Sequence, residues 1–324
     1  MALRSRRSRR SEMSEILTIT LNPAVDVSTA VDHIAPAHKL RCQFERRDAG
    51  GGGINVARVI KRLGGDVEAA YPAGGPIGEY LKRLVQAEGV ESLVVPITGD
   101  TRESFTVRER STAHEFRFVL PGPTLDESTL QAVINLISAA ETPPRFVVVS
   151  GGLPPGLADD THARLATAAR KVGARVVLDA SGPSLKAALE RGVFLIKPNL
   201  RELQELVGST LEDPQSIVAA GRQIVRQSQA ELVAISLSER GALLISANEA
   251  FVANAISVQV IGTVGAGDSF LGAMVWALAA GHSVQAAFRH GLAAGAAALL
   301  TPGTELARPE DIRRLLTQAT LRPI

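Results

Sequence analysis

Residues 262–269 read Gly-Thr-Val-Gly-Ala-Gly-Asp-Ser, a set of residue types that chemistry on an anion needs. Gly265, Ala266 and Gly267 leave their backbone N–H groups uncovered where a following apolar run predicts a helix. Free N–H groups at a helix start, together with the helix dipole, form an anion site. Asp268 places a carboxylate beside that site. We interpret it as a general base that takes a hydroxyl proton during phosphoryl transfer; the alternative is that it only caps the helix.

Two further stretches are candidates for binding hydroxyl groups. A run of four glycines that includes Gly51 and Gly52 precedes Asn55 and an amphipathic helix, and such a run lets the backbone approach a ligand closely. It matches neither the dinucleotide fingerprint nor the Walker loop. Asp26 follows the first strand pattern, and ligands of open α/β sheets lie beyond the carboxyl ends of strands. The alternatives are a flexible loop in which Asn55 is a cap, and a turn in which Asp26 is a turn former.

Lys197-Pro-Asn199 ends another strand pattern, and Glu202 follows on the next helix. Asn and Glu three residues apart can hold a hydrated Mg²⁺ beside nucleotide phosphates, since Mg²⁺ prefers few carboxylates and many waters. The alternative is a helix capping box. The segment from Ser236 to Gly241 follows a strand and predicts either a loop around a nucleotide or a plain hairpin turn. The six histidines show no metal-ligand spacing.

Short β-rich runs alternate with segments of helical period along most of the chain. The runs are Ile16–Leu21, Phe146–Ser150, Arg175–Leu178, Phe194–Ile196 and Leu232–Leu237. The helical segments are Ser128–Ala139, Asp160–Val172, Pro183–Leu189, Glu202–Val207 and Pro214–Gln227. This alternation predicts an α/β fold with a doubly wound, mostly parallel sheet that is flanked by helices on both faces.

Residues of about 27–49 and 91–120 depart from this strand–helix alternation, because polar and apolar positions alternate there without intervening helical segments. We expect them to form antiparallel strands of a small β-sheet lid with one solvated face. The lid segments contain the cations Lys39, Arg41, Arg102 and Arg117. Cations facing a site can bind a phosphate that the substrate already carries, Arg through its bidentate fork. For each of them, a solvated surface charge is the alternative.

Length and composition fit one large α/β core. The chain has 324 residues, of which 45% are hydrophobic and 21% charged, and these values exclude wholesale disorder. Five arginines and no acidic residue lie in residues 1–10, so the remainder carries a net charge of −3 against +2 for the whole chain. We therefore expect no nucleic-acid partner, and we interpret residues 1–14 as a disordered basic extension of a single domain at 15–324.

Features of membrane and secreted proteins are also missing from the sequence. The apolar runs are too short to cross a bilayer, and acidic and turn-forming residues interrupt any secretory signal after the arginines. Cys42 is the single cysteine, which suits a reducing compartment. We expect a cytoplasmic protein without a membrane partner.

Six motifs, taken in order, make the chain resemble the PfkB-type carbohydrate kinases of the ribokinase superfamily over about residues 15–320. These motifs are Asn22–Asp26, Gly50–Asn55, Ser150–Gly156, Lys197–Glu202, Ser236–Ala242 and Thr263–Ser269. Within that family the likeness is closest to the bacterial 6-phosphofructokinase branch, through Lys39–Arg41, the glycine run, Tyr71–Gly75 and Phe116–Gly122. The 1-phosphofructokinases and tagatose-6-phosphate kinases usually have a lysine in the glycine run, which this chain lacks. Asn22-Pro-Ala, however, is common in that second branch.

The resemblance implies a ribokinase-like fold and transfer of the γ-phosphoryl group of ATP to the 1-hydroxyl of fructose 6-phosphate, a step of glycolysis. Tagatose 6-phosphate and fructose 1-phosphate are the alternative acceptors, and a non-catalytic sugar-phosphate sensor is a more distant alternative. Asp268 would be the base, with Gly265, Ala266 and Gly267 as the anion hole. The implied sugar-phosphate ligands are Asp26, Lys39, Arg41, Gly51, Gly52, Asn55, Arg102 and Arg117.

The resemblance also implies a nucleotide site, two cations and a partner. The implied nucleotide-site residues are Lys197, Asn199, Ser236, Gly241 and Thr263, with Glu202 organising Mg²⁺. Backbone oxygens of Gly262, Val264, Ala298, Thr301 and Gly303 would bind a monovalent cation such as K⁺. Family members commonly form homodimers through their lids. Ser238 and Glu305 depart from the family pattern at the nucleotide and cation sites.

Overall fold

The structure is a computed structural model that describes residues 14–139 and 142–324, so residues 1–13 of the predicted basic extension lie outside it. Its strands are β1 (Ile16–Ile19), β2 (Ala24–Val31), β3 (Arg46–Gly50), β4 (Val67–Ala73), β5 (Glu91–Pro96), β6 (Arg102–Glu109), β7 (Glu115–Val119), β8 (Phe146–Ser150), β9 (Arg175–Asp179), β10 (Val193–Ile196), β11 (Ala230–Ser236), β12 (Ala242–Ile245), β13 (Ala250–Ala253) and β14 (Arg322–Pro323).

The helices of the described residues are α1 (Gly52–Arg62), α2 (Gly75–Ala87), α3 (Glu127–Ser138), α4 (Thr161–Lys171), α5 (Gly182–Leu189), α6 (Leu200–Val207), α7 (Pro214–Arg226), α8 (Ala266–Ala279), α9 (Val284–Ala298) and α10 (Pro309–Leu316). The five strand runs and five helical segments expected outside the lid are all present, each within a few residues of its predicted bounds.

Ten strands form one large sheet in the order β14-β13-β12-β11-β10-β9-β8-β1-β4-β5. The seven strands from β11 to β5 run parallel, and the other three add an antiparallel edge. The chain leaves β1 towards β4 and β5 on one side and later returns to β8 on the other side. A reversal of this kind opens a crevice at the carboxyl ends of the strands. The predicted doubly wound, mostly parallel sheet is confirmed.

Helices cover both faces of the large sheet, and each face has its own apolar core. Ile54, Met274 and Phe288 of α1, α8 and α9 pack on one face. Leu130 and Leu165 of α3 and α4 pack on the other. The central strands β1 and β8 are buried along their whole length, as expected for parallel strands that are covered on both sides. The sheet is therefore a fixed platform for the residues at its carboxyl edge.

The lid is a separate sheet of four strands in the order β3-β2-β6-β7. Two details of the prediction are wrong. Strand β2 pairs with β6 in parallel, and only β2·β3 and β6·β7 are antiparallel. A parallel pair needs a long connection, and the chain between β2 and β6 provides one. The stretch Glu91–Pro96 is not part of the lid, because it pairs with β4 at the edge of the large sheet. As a half-exposed edge strand, it shows the same polar and apolar alternation as a lid strand.

Among the helices of residues 14–139 and 142–324, none has both the length and the apolar character needed to cross a bilayer.

Candidate active site

The glycine turn at 265–267 starts helix α8 at the carboxyl edge of the sheet. Gly265 is the N-cap residue at φ 77°, and Ala266 is the first helical residue. A Cβ at Gly265 would lie 2.4 Å from Cδ2 of Leu306, so both conformation and space require glycine there. The first helical N–H groups have no partner within a helix. The turn therefore presents free donors and the positive end of the α8 dipole to the crevice.

Asp268 lies in the first turn of α8 and is turned towards another helix. Its Oδ2 accepts a hydrogen bond from Nδ2 of Asn55 in α1 at 2.9 Å, whereas the N-cap position belongs to Gly265, which has no side chain. Burial and the nearby carboxylate of Asp179 raise the pKa of Asp268 from 3.8 to about 6, against the opposing effects of Asn55, Lys197 and the lid. This geometry contradicts the capping alternative and leaves a buried carboxyl with a pKa of about 6.

Lys197 lies beside the same turn. Its side chain is only 7% exposed, and its Nζ is 3.2 Å from Oδ1 of Asp179. Burial opposes its charge, but Asp179 and Asp268 outweigh that effect and raise the pKa of Lys197. A Cβ at Gly267 would lie 3.2 Å from Nζ, so the ammonium is adjacent to the free N–H groups. The turn therefore has a fixed positive charge at its side.

Asp179 was not among the residues predicted from the sequence; it ends β9, and Lys197 directly follows the neighbouring strand β10. A signal was available. An acid at the end of one parallel strand and a lysine at the end of the next one meet at the same edge of the sheet.

Asp26 occupies the other side of the crevice, in lid strand β2. Burial raises the pKa of Asp26 from 3.8 to about 6, although Arg117 and Arg102 lower it. A Cβ at Gly50 would lie 2.4 Å from Cγ of Asp26, so the first glycine of the run makes room for this carboxylate. Asp268 also raises the pKa of Asp26, which places the two carboxylates in one electrostatic site.

Two of the four lid cations face this site. Arg102 donates to the carbonyl oxygens of Asn22 at 3.0 Å and of Leu120 at 3.1 Å. Its Nε is buried and has no partner within the described part of the chain. Arg117 of β7 lowers the pKa of both Asp26 and Asp268, so its charge acts on the crevice.

The other two lid cations are not brought to the site. Lys39 and Arg41 are exposed in the segment between β2 and β3. The described residues provide no contact that links them to the crevice.

Gly51 and Gly52 begin α1 under the lid. Gly51 has φ 109°, and a Cβ there would lie 2.6 Å from Cγ2 of Thr20. A Cβ at Gly52 would lie 2.3 Å from Oγ of Ser150, at the end of β8. These two glycines therefore let α1 begin directly against the ends of β1 and β8, where the crevice opens.

Asn199 and Glu202 form a reciprocal capping box at the start of α6. Asn199 Oδ1 accepts from Glu202 N at 2.9 Å, and Glu202 Oε2 accepts from Asn199 N at 2.9 Å. The capping box that was the alternative to a Mg²⁺ site is therefore present, and it uses Asn199 Oδ1 and one carboxylate oxygen of Glu202. No group of three or more His, Cys, Asp or Glu able to hold a metal occurs among the described residues. A metal here would have to rely on the second Glu202 oxygen, water and the ligand itself.

The remaining nucleotide-site candidates lie along the same edge. Ser236 ends β11 and donates its N–H to the carbonyl of Pro198 at 3.0 Å, next to the capping box. Gly241, at φ 91°, closes the turn after β11, and a Cβ there would lie 2.0 Å from the carbonyl oxygen of Ala253. Thr263 donates both its N–H and its hydroxyl to Oε2 of lid residue Glu115, at 3.3 and 3.1 Å. This link between the lid and the glycine turn was not anticipated from the sequence.

Four of the five residues suggested for a monovalent cation lie next to one another in the structure. The carbonyl oxygen of Thr301 lies 2.7 Å from where a Cβ of Gly262 would be. The Ala298 carbonyl already accepts from Thr301 Oγ1 at 2.8 Å. Gly303, at φ 56°, packs against Ser28 of the lid, and Val264 is buried. The backbone nitrogen of Gly303 lies 3.5 Å from the same Cβ position of Gly262, so Gly262, Ala298, Thr301 and Gly303 lie in one group.

The domain is doubly wound and carries a β-lid over its crevice. The crevice contains free helix N–H groups, a buried lysine and a carboxyl with a pKa of about 6. This is the architecture of a small-molecule kinase. The sequence matches the pfkB family carbohydrate kinases over residues 17–311, and the chain belongs to that family.

Individual relatives and structures resemble the chain over most of its length. It is 42% identical over 304 residues to the ATP-dependent 6-phosphofructokinase isozyme 2 of Mycobacterium tuberculosis, covering 94% of this chain and 89% of the relative. It is 32% identical over 303 residues to the 1-phosphofructokinase of Bacillus subtilis, with 94% and 98% coverage. The crystal structure of phosphofructokinase-2 from Escherichia coli in complex with substrates and products is similar, with a TM-score of 0.90, 38% identity and coverage of 94% and 99%. Arabidopsis thaliana ribokinase, at 19% identity and a TM-score of 0.71, shares the fold, which is therefore ribokinase-like.

Proposed function

We propose that this protein transfers the γ-phosphoryl group of ATP to the 1-hydroxyl of fructose 6-phosphate and so forms fructose 1,6-bisphosphate in glycolysis. The observation that carries the proposal is the position of Asp268, a carboxyl with a pKa of about 6 beside a free helix start. The 42% and 38% identities to 6-phosphofructokinases of this family support the choice of acceptor.

In the proposed reaction, Asp268 accepts the proton of the 1-hydroxyl as the hydroxyl oxygen forms a bond to the γ-phosphorus. The bond from that phosphorus to the bridging oxygen of ADP breaks, and ADP leaves with the electron pair. The N–H groups of Gly265, Ala266 and Gly267, with Lys197 beside them, stabilise the negative charge on the transferring group. The lid excludes water, which would otherwise compete as an acceptor.

The substrate's own phosphate is assigned to the lid arginines. Arg102 has a buried Nε without a partner in the described chain, and Arg117 acts electrostatically on both site carboxylates. A phosphate dianion gives both guanidinium groups the bidentate partner that they favour. Lys39 and Arg41 are exposed on the segment between β2 and β3, and we propose them as further ligands of the same phosphate.

The sugar hydroxyls are assigned to residues deeper in the crevice. Asp26 and Asn55 would accept and donate hydrogen bonds, and Gly51 and Gly52 would let the sugar approach the start of α1. An unphosphorylated sugar or a nucleoside would bring no phosphate for the lid arginines and would leave the buried Nε of Arg102 without an acceptor, so both are weaker candidates.

The nucleotide is assigned to Lys197, Asn199, Ser236, Gly241 and Thr263, which follow one another along the carboxyl edge of the sheet. Glu202 keeps one carboxylate oxygen outside its capping hydrogen bond, and that oxygen would help to hold a Mg²⁺ ion, which would neutralise charge on the ATP phosphates. We propose that K⁺ is held near the carbonyl groups of Gly262 and Thr301. Val264, Ala298 and Gly303 are the further candidates for that site.

The second candidate function is phosphorylation of fructose 1-phosphate or tagatose 6-phosphate. The 32% identity to a 1-phosphofructokinase over 94% of the chain favours considering it. The uninterrupted glycine run at 50–53 argues for fructose 6-phosphate instead. Coupled release of ADP, measured with fructose 6-phosphate, tagatose 6-phosphate, fructose 1-phosphate, fructose and ribose, distinguishes these acceptors. A higher kcat/KM for any acceptor other than fructose 6-phosphate would overturn the proposal.

We propose that the protein forms a homodimer through its lid and works in the cytoplasm. Strand β7 and the residue after it expose a run of apolar side chains, of which Phe118 is 54% and Val119 61% exposed. Contiguous apolar side chains on a soluble surface are typical of an interface. Sedimentation of the Phe118→Glu variant tests this: the dimer should dissociate, and an unchanged sedimentation coefficient would reject the lid as the interface.

A further inference from the structure

Arg58 is the largest fully buried side chain of the described residues and lies three residues after Asn55 on α1. It is 1% exposed. A buried guanidinium needs a partner for each donor, because leaving one unpaired is costly. Arg58 meets this demand with Glu88 on one side, whose Oε1 accepts from Nε at 3.1 Å and from Nη2 at 2.8 Å.

The other edge of the Arg58 guanidinium group, at Nη1, contacts residues around the site. Nη1 donates to the carbonyl oxygen of Ala49 at 2.8 Å, to Oδ1 of Asn55 at 3.1 Å and to the carbonyl oxygen of Thr304 at 3.1 Å. These three acceptors come from lid strand β3, helix α1 and the segment after α9. One side chain therefore fixes the lid base and Asn55 relative to each other.

The contact with Asn55 decides which way its amide faces. A guanidinium only donates, so it requires the amide oxygen on its side. With Oδ1 held by Arg58, Nδ2 points to Asp268 Oδ2, to which it donates at 2.9 Å. The reversed amide would place two donors together at Arg58 and two acceptors together at Asp268. Both contacts would then be repulsive.

We infer that Arg58 is a positioning residue for catalysis, which acts through the Asn55 amide to hold Asp268 and to leave Asp268 Oδ1 as the atom that accepts the proton. The inference rests on the proposed role of Asp268 as the base. Oδ2 is engaged by Asn55, and a lone pair that accepts a hydrogen bond is less basic than a free one. The oxygen on the other side of the same carboxyl is left for the substrate hydroxyl.

Arg62 provides a matched control on the same helix. It lies one turn after Arg58 and also donates to Glu88 Oε1, at 2.8 Å. Its second contact is the carbonyl oxygen of Glu305, and it does not take part in the contact with Asn55. Arg62→Lys therefore weakens the same Glu88 cluster without touching the path to Asp268.

The test compares Arg58→Lys with Arg62→Lys, using melting temperature, KM, kcat and the pH dependence of kcat. Lys keeps the charge but is a compact point donor that cannot reach Glu88 and Asn55 together. We expect Arg58→Lys to lower kcat about ten- to a hundredfold, the effect of losing one hydrogen bond to a charged group, with KM for ATP near wild type. Arg62→Lys should stay within about twofold of the wild-type kcat.

The pH profile separates positioning from packing. The groups that face Asp268 are Asp179 of β9, Lys197 after β10, Arg117 of β7, Asn55 of α1 and Asp26 of β2. The Asn55 hydrogen bond lowers the pKa of Asp268. Arg58→Lys keeps the charge at position 58 but disturbs this hydrogen bond, so the acid limb of kcat should move to higher pH. In Arg62→Lys the acid limb should not move.

A double variant shows whether Arg58 acts through Asn55. In an Asn55→Ala background, Arg58→Lys should add little to the loss of kcat, because the path is already broken. Independent, multiplying losses would overturn the inference, as would an Arg58→Lys loss no larger than that of Arg62→Lys. If Arg58→Lys does not fold, Asn55→Asp serves instead. Its carboxylate still accepts from Arg58 but presents an acceptor to Asp268, so kcat should fall and its acid limb should move to higher pH, and an unchanged kcat would overturn the inference.

These outcomes are kept apart from those of the proposed reaction. The activity of every variant is measured on the acceptor that the wild-type protein phosphorylates fastest. A preference for another acceptor would then reject the proposed substrate and leave the comparison of Arg58 with Arg62 valid.

Discussion

Replacing Asp268 by Asn separates a catalytic base from a structural acid. The amide has nearly the shape of the carboxyl, and its oxygen can still accept from Asn55 Nδ2. Because it cannot take up a proton, kcat should fall about 10²- to 10⁴-fold, the usual contribution of a general base. KM should change little for either substrate, since the carboxylate acts mainly while the hydroxyl loses its proton.

The same substitution should stabilise the fold at neutral pH. The pKa of Asp268 is raised from 3.8 to about 6, so the folded protein holds this proton more tightly than the unfolded chain does. An acid shifted in this direction costs stability above the folded pKa, here up to about 3 kcal/mol at pH 7. The cost shrinks as pH falls from 6 and is gone below 3.8. For a chain of 324 residues, about 1.5 °C per kcal/mol corresponds to a gain of about 4 °C in Tm.

The assay pairs coupled ADP release with thermal melting at about pH 7.5 and about pH 4.5, where the gain in Tm should have fallen to about a third. Asp26→Asn is the control, because the pKa of Asp26 is also raised to about 6. It should raise Tm similarly but increase KM for the sugar phosphate rather than abolish turnover. If Asp268→Asn keeps more than about a tenth of the wild-type kcat, Asp268 is not the base. If it melts several degrees lower, the carboxylate is stabilising and the argument from its pKa is wrong.

The remaining predictions use steady-state kinetics and pH-dependent melting. Arg117→Ala should raise KM for the sugar phosphate about ten- to a hundredfold, the effect of losing a charge-assisted hydrogen bond; an equal rise in KM for ATP would contradict its placement. Glu115→Ala should raise KM for ATP several-fold, because Thr263 then loses the acceptor that holds it in position at the glycine turn; unchanged ATP kinetics would show that this link is structural only. Burial lowers the pKa of His162 from 6.5 to about 4, so stability is complete above pH 6.5 and about 3 kcal/mol is lost as pH falls to 4. His162→Leu should remove that loss, and an unchanged pH dependence of Tm would refute it. Finally, the acid limb of kcat should lie at higher pH than that of kcat/KM, because the bound sugar phosphate offsets the charge of Arg117.

The large sheet could be read from the sequence because its signals are local. The apolar runs of β8 and β9 and the helical periods between them predict parallel strands without reference to distant parts of the chain. The turn before α8 could also be predicted, since Gly265 and Asp268 are close in sequence. Pairing between distant segments could not be predicted from the sequence. Alternation of polar and apolar residues does not distinguish a lid strand from the half-exposed edge strand β5, nor parallel from antiparallel pairing of β2 and β6.

The same limit explains which site residues were missed. Asp179, Arg58 and Glu115 act through partners far away in the chain, namely Lys197, Asn55 and Thr263. Each looks like an ordinary charge in the sequence, and for Arg58 and Glu115 only the fold shows which residue the side chain contacts. Lys39 and Arg41 illustrate the reverse case, because a motif singled them out and the structure leaves them exposed without a contact to the crevice.

The predicted shift of the acid limb follows from how the two site carboxyls share one lid cation. Arg117 lowers the pKa of both Asp26 and Asp268 in the free protein, while burial raises both to about 6. A substrate phosphate bound at Arg117 offsets that positive charge, so the lowering effect weakens and the pKa of Asp268 rises. A base with a higher pKa takes a hydroxyl proton more readily, so substrate binding itself would strengthen the base. Because kcat/KM reports the free enzyme and kcat the complex, the two limbs should separate in the wild-type protein. They should coincide in Arg117→Ala, and coinciding limbs in the wild type would show that Arg117 is not neutralised by the substrate.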